Sequence, residues 1–139
     1  MADVTDAFTA LILSQTAITD LIGDGASPLS VRFFPNGSEK NPTLPCVVYI
    51  ELSAIREQDF EGPRGSARSR FQFDILGKTY AEVKAVAEAF RTTLDGYIGV
   101  VSGIDFLSTK LENQYNGFEE DEEFHRLTQE YIFYHSEAS

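Results

Sequence analysis

The sequence predicts an α+β fold: a single, mostly antiparallel sheet with an N-terminal helix and one crossing helix packed on it. Two neighbouring stretches carry this prediction. Phe71, Phe73 and Ile75 alternate with polar residues, which is the pattern of a strand with one buried face. From Thr79 to Leu94 the apolar residues instead recur at helical spacing. A strand followed at once by an amphipathic helix indicates a helix that lies back across the sheet.

The chain before this pair predicts helices first and strands second. A helix is expected over 4–22, with a second short turn beginning at Thr16. A short strand follows over 30–34, and the prolines and glycine of 35–45 predict a loop. The next strand is predicted over 46–54. Its apolar residues occupy both faces, as in a central strand that helices or a neighbouring subunit cover.

The crossing helix has chemically defined ends. Thr79 and Glu82 form a capping box at its start, and Asp95 followed by Gly96 predicts its end. Its buried face is expected to consist of Val83, Val86, Ala87, Phe90 and Leu94.

Two long connections are predicted. A flexible arm over 57–65, within the connection 56–66, joins two strands by more residues than a hairpin normally needs. A strand over 104–113, with a bulge between Phe106 and Leu107 where the apolar parity changes, leads into an irregular stretch over 114–123.

The final strand is expected over 124–135, before a frayed tail at 136–139. The whole chain, 1–139, is expected to form one domain.

Composition excludes several classes of protein. The net charge of -11 is unevenly spread, because residues 96–139 carry nine acids and only Lys110 and Arg126 as bases. Phosphate neutralisation dominates nucleic-acid affinity, so a chain this acidic is poorly suited to grip DNA or an anionic membrane. No apolar run approaches the ~20 residues of a membrane span, and the N-terminus lacks a signal pattern. We therefore expect a soluble protein of the cytoplasm without membrane contact.

No constellation of catalytic or metal-binding residues is visible, and no cofactor is expected. His125 and His135 are ten residues apart in one predicted strand, roughly 33 Å, and cannot share a metal ion. Cys46 has no partner cysteine or base in sequence. A further candidate, 112–123, fits a calcium loop poorly, since its flanks are predicted strands.

The sequence Gly77-Lys78-Thr79 matches the second half of a phosphate-binding P-loop. The earlier glycine that such a loop needs is replaced by Gln72, inside the predicted strand. We interpret Gly77 as a turn residue and Thr79 as a helix cap.

Four segments in order resemble the tail completion, or tail terminator, proteins of long-tailed bacteriophages. They are 17–23, 44–49, 70–83 with the helix that continues to Leu94, and 129–134. The resemblance covers nearly the whole chain. It implies a structural virion protein, assembled in the host cytoplasm, that forms a homo-oligomer, expected to be a hexameric ring, at the head-proximal end of the tail tube. There it would end tube polymerisation and join the tail to the head connector, without enzymatic activity.

The resemblance implies three partners: the tail tube protein, the head connector or stopper protein, and DNA that passes through the lumen without specific binding. It assigns no contact residues. From the charge distribution we predict a subunit interface between a basic strip and an acidic run of the neighbouring copy. The strip is Arg64, Arg68 and Arg70, and the run is Glu119, Glu120, Asp121, Glu122 and Glu123. Such arginines could equally form a solvated strand face.

The predicted arm is assigned a separate role. We predict that it docks against the tube or the connector through Arg56, Glu57, Gln58, Asp59, Phe60 and Glu61. The alternative for the whole chain is an acidic adaptor or nucleic-acid mimic that acts as a monomer or dimer, and nucleotide binding through Lys78 is a third, enzymatic alternative. Stoichiometry on the particle separates the ring from the adaptor.

Overall fold

The computed structural model describes residues 4–22, 33–35, 44–59, 62–101, 103–119 and 124–136. Within these ranges the chain forms three helices and six strands. In chain order they are α1 (Val4–Leu13), α2 (Thr16–Ile22), β1 (Phe33–Pro35), β2 (Cys46–Asp59), β3 (Gly62–Gly77), α3 (Tyr80–Leu94), β4 (Gly99–Val101), β5 (Ile104–Glu119) and β6 (Phe124–Ser136). None of the helices in these ranges has the length and apolar character needed to cross a lipid bilayer.

All six strands belong to one sheet, in the order β1-β2-β3-β6-β5-β4. Every neighbouring pair is antiparallel except β1 and β2, which run parallel over three residues. The α+β prediction with one mostly antiparallel sheet is therefore confirmed. The predicted N-terminal helix is two helices, α1 and α2, which matches the expected second turn at Thr16.

The described helices pack on one face of the sheet, and Phe8 of α1 is the centre of the contact. Its ring is 4.7 to 6.2 Å, centroid to centroid, from five other aromatic rings. These belong to Phe33, Tyr49, Phe71, Phe73 and Phe133. Mostly edge-to-face packing of this kind adds to the stabilisation from burial. We call the opposite side of the sheet, which the described helices leave uncovered, the open face.

The crossing helix α3 begins and ends where the sequence predicts. The Glu82 amide donates a hydrogen bond of 3.1 Å to the Thr79 hydroxyl, and Gly96 after the Asp95 cap has a positive φ of 82°. The five residues predicted for its buried face are all buried. The predicted bulge is confirmed, since the pairing of β5 with β6 shifts register between Phe106 and Ser108.

Both predicted irregular connections are corrected, because the strands continue through them. In the first, Asp59 pairs with Gly62, so 56–66 is the end of a long β2–β3 hairpin rather than an eleven-residue loop. In the second, β5 extends to Glu119, which pairs with Phe124. Backbone pairing maintains both strands where glycine, proline and acidic residues hide any burial pattern. Residues 60–61 and 120–123 lie outside the described part of the chain.

The described helices do not cover the second half of β2, so cover of this part by a neighbouring subunit stays a prediction. Val47 is buried, but Ile50, Leu52 and Ile55 are exposed. Of the other predicted bounds, the final strand is confirmed to within one residue. The first short strand is Phe33–Pro35, and 30–32 and 137–139 lie outside the described residues.

Replacing Gly77 with alanine should destabilise the protein by about 1–3 kcal/mol, because the new methyl group overpacks a filled site. A Cβ at Gly77 would lie 2.9 Å from Cγ1 of Val83, whose β-branched side chain is stiff. The matched control is Gly117→Ala in β5, where a Cβ would meet nothing within 4 Å. Chemical denaturation should show a large loss only for Gly77→Ala. An equal loss in both variants would contradict the packing explanation.

Candidate functional site

Two arginines of the predicted basic strip, Arg68 and Arg70, lie on the open face. Arg68 and Arg70 alternate along β3 with Ala67, Ser69 and Phe71, which are buried against the helix side. Because successive side chains of a strand point to opposite faces, the two arginines lie on the uncovered side. Arg64 belongs to the same strand, nearer the end of the hairpin.

Glu119, the described residue of the acidic run, lies at the opposite end of the sheet from Arg68. Glu119 pairs with Phe124 at the end of the β5–β6 hairpin, whereas Arg68 pairs with Tyr134. Ten residues of β6 separate Phe124 from Tyr134, which is roughly 33 Å along the strand. Among the described residues, the structure therefore does not bring Glu119 close to Arg68 or Arg70 within one subunit. Only contacts between different copies could pair them.

Arg70 has a charged partner within its own chain. Its guanidinium lies 3.5 Å from Oε1 of Glu130 on β6, with the two side chains 35% and 17% exposed. Ion pairs of this exposure contribute about 0–1 kcal/mol, so the pair weakly fixes the arginine without locking it.

A hydrogen-bonded group lies next to this pair at the centre of the open face. Thr128 donates a bond of 2.8 Å to Oδ1 of Asp74, and the Gln72 amide donates to the same carboxylate at 3.1 Å. Thr128 is 2% exposed, so this bond satisfies a hydroxyl that would otherwise be buried without a partner. The centre of the open face is therefore polar, ordered and satisfied by its own chain.

The open face as a whole is not acidic, although the chain is. Sheet register places four basic residues on it, namely Arg68, Arg70, Lys110 and Arg126. It carries an equal number of acids among the described side chains, namely Asp74, Asp105, Glu112 and Glu130. The excess negative charge must therefore lie elsewhere on the molecule.

The predicted docking arm extends beyond the sheet. Ser66 pairs with Ser136 in the last row that β3 shares with β6. Beyond it, β2 and β3 continue as a two-stranded ribbon through the pairs Gln58–Pro63 and Asp59–Gly62. The backbones of Arg56, Glu57, Gln58 and Asp59 belong to this ribbon, and Phe60 and Glu61 lie outside the described residues.

Sequence reasoning missed one set of residues. Every large aliphatic side chain that is exposed in the described part of the chain lies at a lateral edge of the sheet. On β2 these are Ile50, Leu52 and Ile55, and beside β4 they are Ile98, Val100 and Leu107. The apolar parity of 46–54 was a signal for the first group. In the second group, Ile98 and Val100 flank Gly99 in a segment too short to show a hydrophobic period, and Leu107 lies at the bulge of β5.

The groups that could carry chemistry are used structurally. His135 is buried, and its Nδ1 lies 2.7 Å from the Ser136 carbonyl, so this nitrogen donates. Its Nε2, 2.8 Å from the Ser69 hydroxyl, accepts in the neutral ring. His125 pairs with Gly77, and His135 with Ala67, ten residues along the same strand. Among the described residues, no group of three or more His, Cys, Asp or Glu could hold a metal ion.

The other polar core group is equally structural. Buried Gln129 donates to the Ala87 carbonyl of α3 at 3.1 Å and accepts from the Tyr131 hydroxyl at 3.0 Å. Burial raises the pKa of Tyr131 well above its usual range, and the nearby carboxylate of Asp95 adds to this effect. The hydroxyl therefore stays protonated and donates to Gln129 on the same strand, while the Gln129 amide links the sheet to α3.

Comparison with known proteins connects this arrangement to a family. A family model described as tail completion protein gp17 matches residues 6–136. No curated protein matches the sequence. A chain from a solved structure of the "virion of native gene transfer agent (GTA) particle" aligns with 96% of this chain and 95% of its own length, with a TM-score of 0.74. The two chains are 14% identical, so the match shows a shared fold. A second solved chain aligns over 91% of this chain and 95% of its own length at 13% identity, with a TM-score of 0.47 that is too low to argue from.

Two buried threonines of the sheet should respond oppositely to replacement by valine, which has nearly the same shape. Thr128→Val removes the bond to Asp74 and should cost about 1 kcal/mol. The Thr109 hydroxyl is also buried but has no hydrogen-bond partner among the described residues. Thr109→Val should therefore be neutral or stabilising, since it removes an unsatisfied group. Unfolding free energies test this, and a larger loss for Thr109→Val would contradict the assignment.

Proposed function

Because the chain belongs to the tail completion protein gp17 family, and is thus a structural tail protein and a component of the virion, we propose that it closes the tail tube. In this proposal six copies form a ring at the head-proximal end of the tube. The ring ends tube polymerisation and joins the tail to the head connector. Assembly takes place in the host cytoplasm, and the partners are further copies, the tail tube protein and the connector or stopper protein.

The match over residues 6–136 carries this proposal, and the shape of the subunit supports it. A ring needs a heterologous interface, in which one patch of each copy meets a different patch of the next. The two ends of the sheet differ, since Arg68 lies toward one end and Glu119 at the other, and a short strand borders each lateral edge. A subunit with such polarity suits a ring whose two rims face different partners.

The subunit acts by shape and charge, without catalysis or a cofactor. DNA passes through the lumen without specific binding, which agrees with a net charge of -11. The pairing of Arg64, Arg68 and Arg70 with Glu119, Glu120, Asp121, Glu122 and Glu123 of a neighbouring copy stays a prediction. The family match, together with the fold shared with a chain of a virion particle, supports the location.

Removing the gene from a particle-producing cell should leave tubes of uncontrolled length and heads without tails, because nothing would end polymerisation or bridge the joint. Electron microscopy of the lysate measures both effects, and the wild-type gene supplied in trans should restore uniform tails. Tubes of normal length that are joined to heads in the absence of the protein would contradict the proposed function.

The β2–β3 ribbon provides a test of docking that spares the fold. Replacing 57–66 with Asn-Gly joins the paired residues Arg56 and Ala67 by a two-residue turn, which suits a hairpin. We expect a folded subunit that is incorporated poorly or leaves tails unjoined, because the ribbon contacts the tube or connector. Thermal unfolding of the purified variant checks the fold, and counts of joined particles check the function. Normal joining with the shortened ribbon would remove the docking assignment.

A further inference from the structure

The two lateral edges of the sheet are stepped, and the steps have opposite sense. On one edge, β1 pairs only with Val47–Tyr49, so from Ile50 to Asp59 β2 has a strand partner only on its β3 side in the described part of the chain. On the other edge, β4 pairs only with Ile104–Phe106, so beyond Phe106 the described β5 has only β6 beside it. Each edge therefore has one short strand and one bare stretch.

The short strand on each edge stands level with the bare stretch on the other. A first row of paired residues crosses the sheet through Phe34, Val48, Asp74, Thr128 and Tyr115. It connects β1 on one edge to bare β5 on the other. A second row crosses through Arg56, Ala67, His135, Phe106 and Gly99. It connects bare β2 to β4. The rows are seven residues apart on β6, which is about 23 Å.

From this match we infer that the sheet is continued by a second copy of the same chain, with β4 of one copy against bare β2 of the next. In the same contact β1 of the second copy lies against bare β5 of the first. A neighbour at the same level fits both steps at once, so rotation without translation along the strands brings the edges together. Rotation of this kind closes a ring. The inference rests on the proposed function, whose subunit contact it specifies.

Strand direction agrees with this contact. Strand β4 runs in the same direction as β2, because the four pairings that lead across the sheet from β2 to β4 are all antiparallel. Strand β1 also runs parallel to β2. In the assembled ring, β4 of the neighbour would therefore continue the parallel pairing that β1 begins on the same edge.

The apolar side chains are where this contact needs them. The six exposed aliphatic side chains of the described chain, 38% to 71% exposed, all lie along the two edges. Ile98 directly precedes Gly99 and thus falls near the row of Ile55. Contiguous exposed apolar groups mark interaction sites, and strands with bare edges pair with further strands. If the exposed apolar side chains of the two edges lay at different heights along the strands, a neighbour at the same height could not bring them together.

The edge contact and the predicted charge pairing are alternatives. A level neighbour keeps Arg68 and Glu119 on opposite rims, whereas pairing these two residues requires a shift of roughly 33 Å along the strands. Reversal of Arg68 and Arg70 to glutamate therefore distinguishes them. The edge contact predicts normal incorporation of this double variant into particles, and loss of incorporation would favour charge pairing and overturn the edge contact.

Site-directed cross-linking on assembled tails tests the contact directly. Cys46 is buried, so cysteines introduced at exposed positions provide the reactive thiols. With a short bis-maleimide, tails that carry Ile55→Cys and Ile98→Cys together should give a ladder of covalent multimers up to the size of the ring. Each single variant should give monomer only. The matched control combines Ile55→Cys with Tyr115→Cys, which is also exposed but lies on the other row, and should give no ladder.

Lysine substitutions give a second measurement. Ile55→Lys on one edge, or Val100→Lys on the other, should lower incorporation into tails about severalfold, because each replaces an apolar contact between neighbouring strands of two copies with a charge. Tyr134→Lys, on the open face of the central strand β6 and away from both edges, should be incorporated like the wild type. All three positions are exposed in the subunit, so the purified variants should unfold at nearly the same temperature.

The outcomes separate the two proposals. The edge contact would be overturned if Ile55→Cys alone gave dimers. It would also be overturned if the double cysteine variant gave no ladder although the wild-type protein is found as a ring at the tail end. Either result would leave the ring itself in place. Absence of the wild-type protein from the tail end would overturn the proposed function, and the edge contact with it.

Discussion

The packing of Phe8 against five aromatic rings is the interaction on which the rest of the structure depends. It fixes α1 to the face of the sheet formed by Phe71, Phe73 and Phe133, the same face on which α3 buries Phe90 against Phe73. With the described helices on one side, burial of the sheet is one-sided. The open face and the two lateral edges are thereby left as surface that other molecules can reach.

These two kinds of surface differ in chemistry. The polar groups at the centre of the open face have partners within the same chain. Thr128 donates to Asp74, and Arg70 pairs with Glu130, so this region is stable while exposed to solvent. The strands at the two edges instead expose aliphatic side chains, and each has a stretch of backbone without a neighbouring strand in the described part of the chain. The inferred contact, in which the subunit completes its sheet with copies of itself, is consistent with both features.

Much of the fold was predictable from the sequence because its signals are local. The alternation in β3 and the spacing of Val83, Val86 and Phe90 in α3 reflect burial on one face, and the caps at Thr79 and Gly96 fix the ends of the helix. The hairpin ends were not predictable, because 56–66 and 114–119 stay in strands through backbone pairing rather than through buried side chains. Turn-forming residues such as Gly62 and Pro63 then resemble a loop.

The candidate site was less predictable than the fold, because it depends on strand order. Strand β6 lies between β3 and β5, so that β4, reached directly after α3, lies at the far edge from β2. No local pattern encodes this arrangement, and therefore none shows that Ile55 and Ile98 share a level at opposite edges. Strand order also separates Arg68 from Glu119, because these two oppositely charged residues lie toward opposite ends of the sheet.

A symmetric cryo-EM reconstruction of the junction between head and tail tests the central claim most directly. The account predicts a single ring of six copies between the tube and the connector, with continuous strand density from β4 of each copy to β2 of the next and with the helices outside that contact. Density for this chain elsewhere in the particle, or copies that meet through α1 and α3, would contradict it.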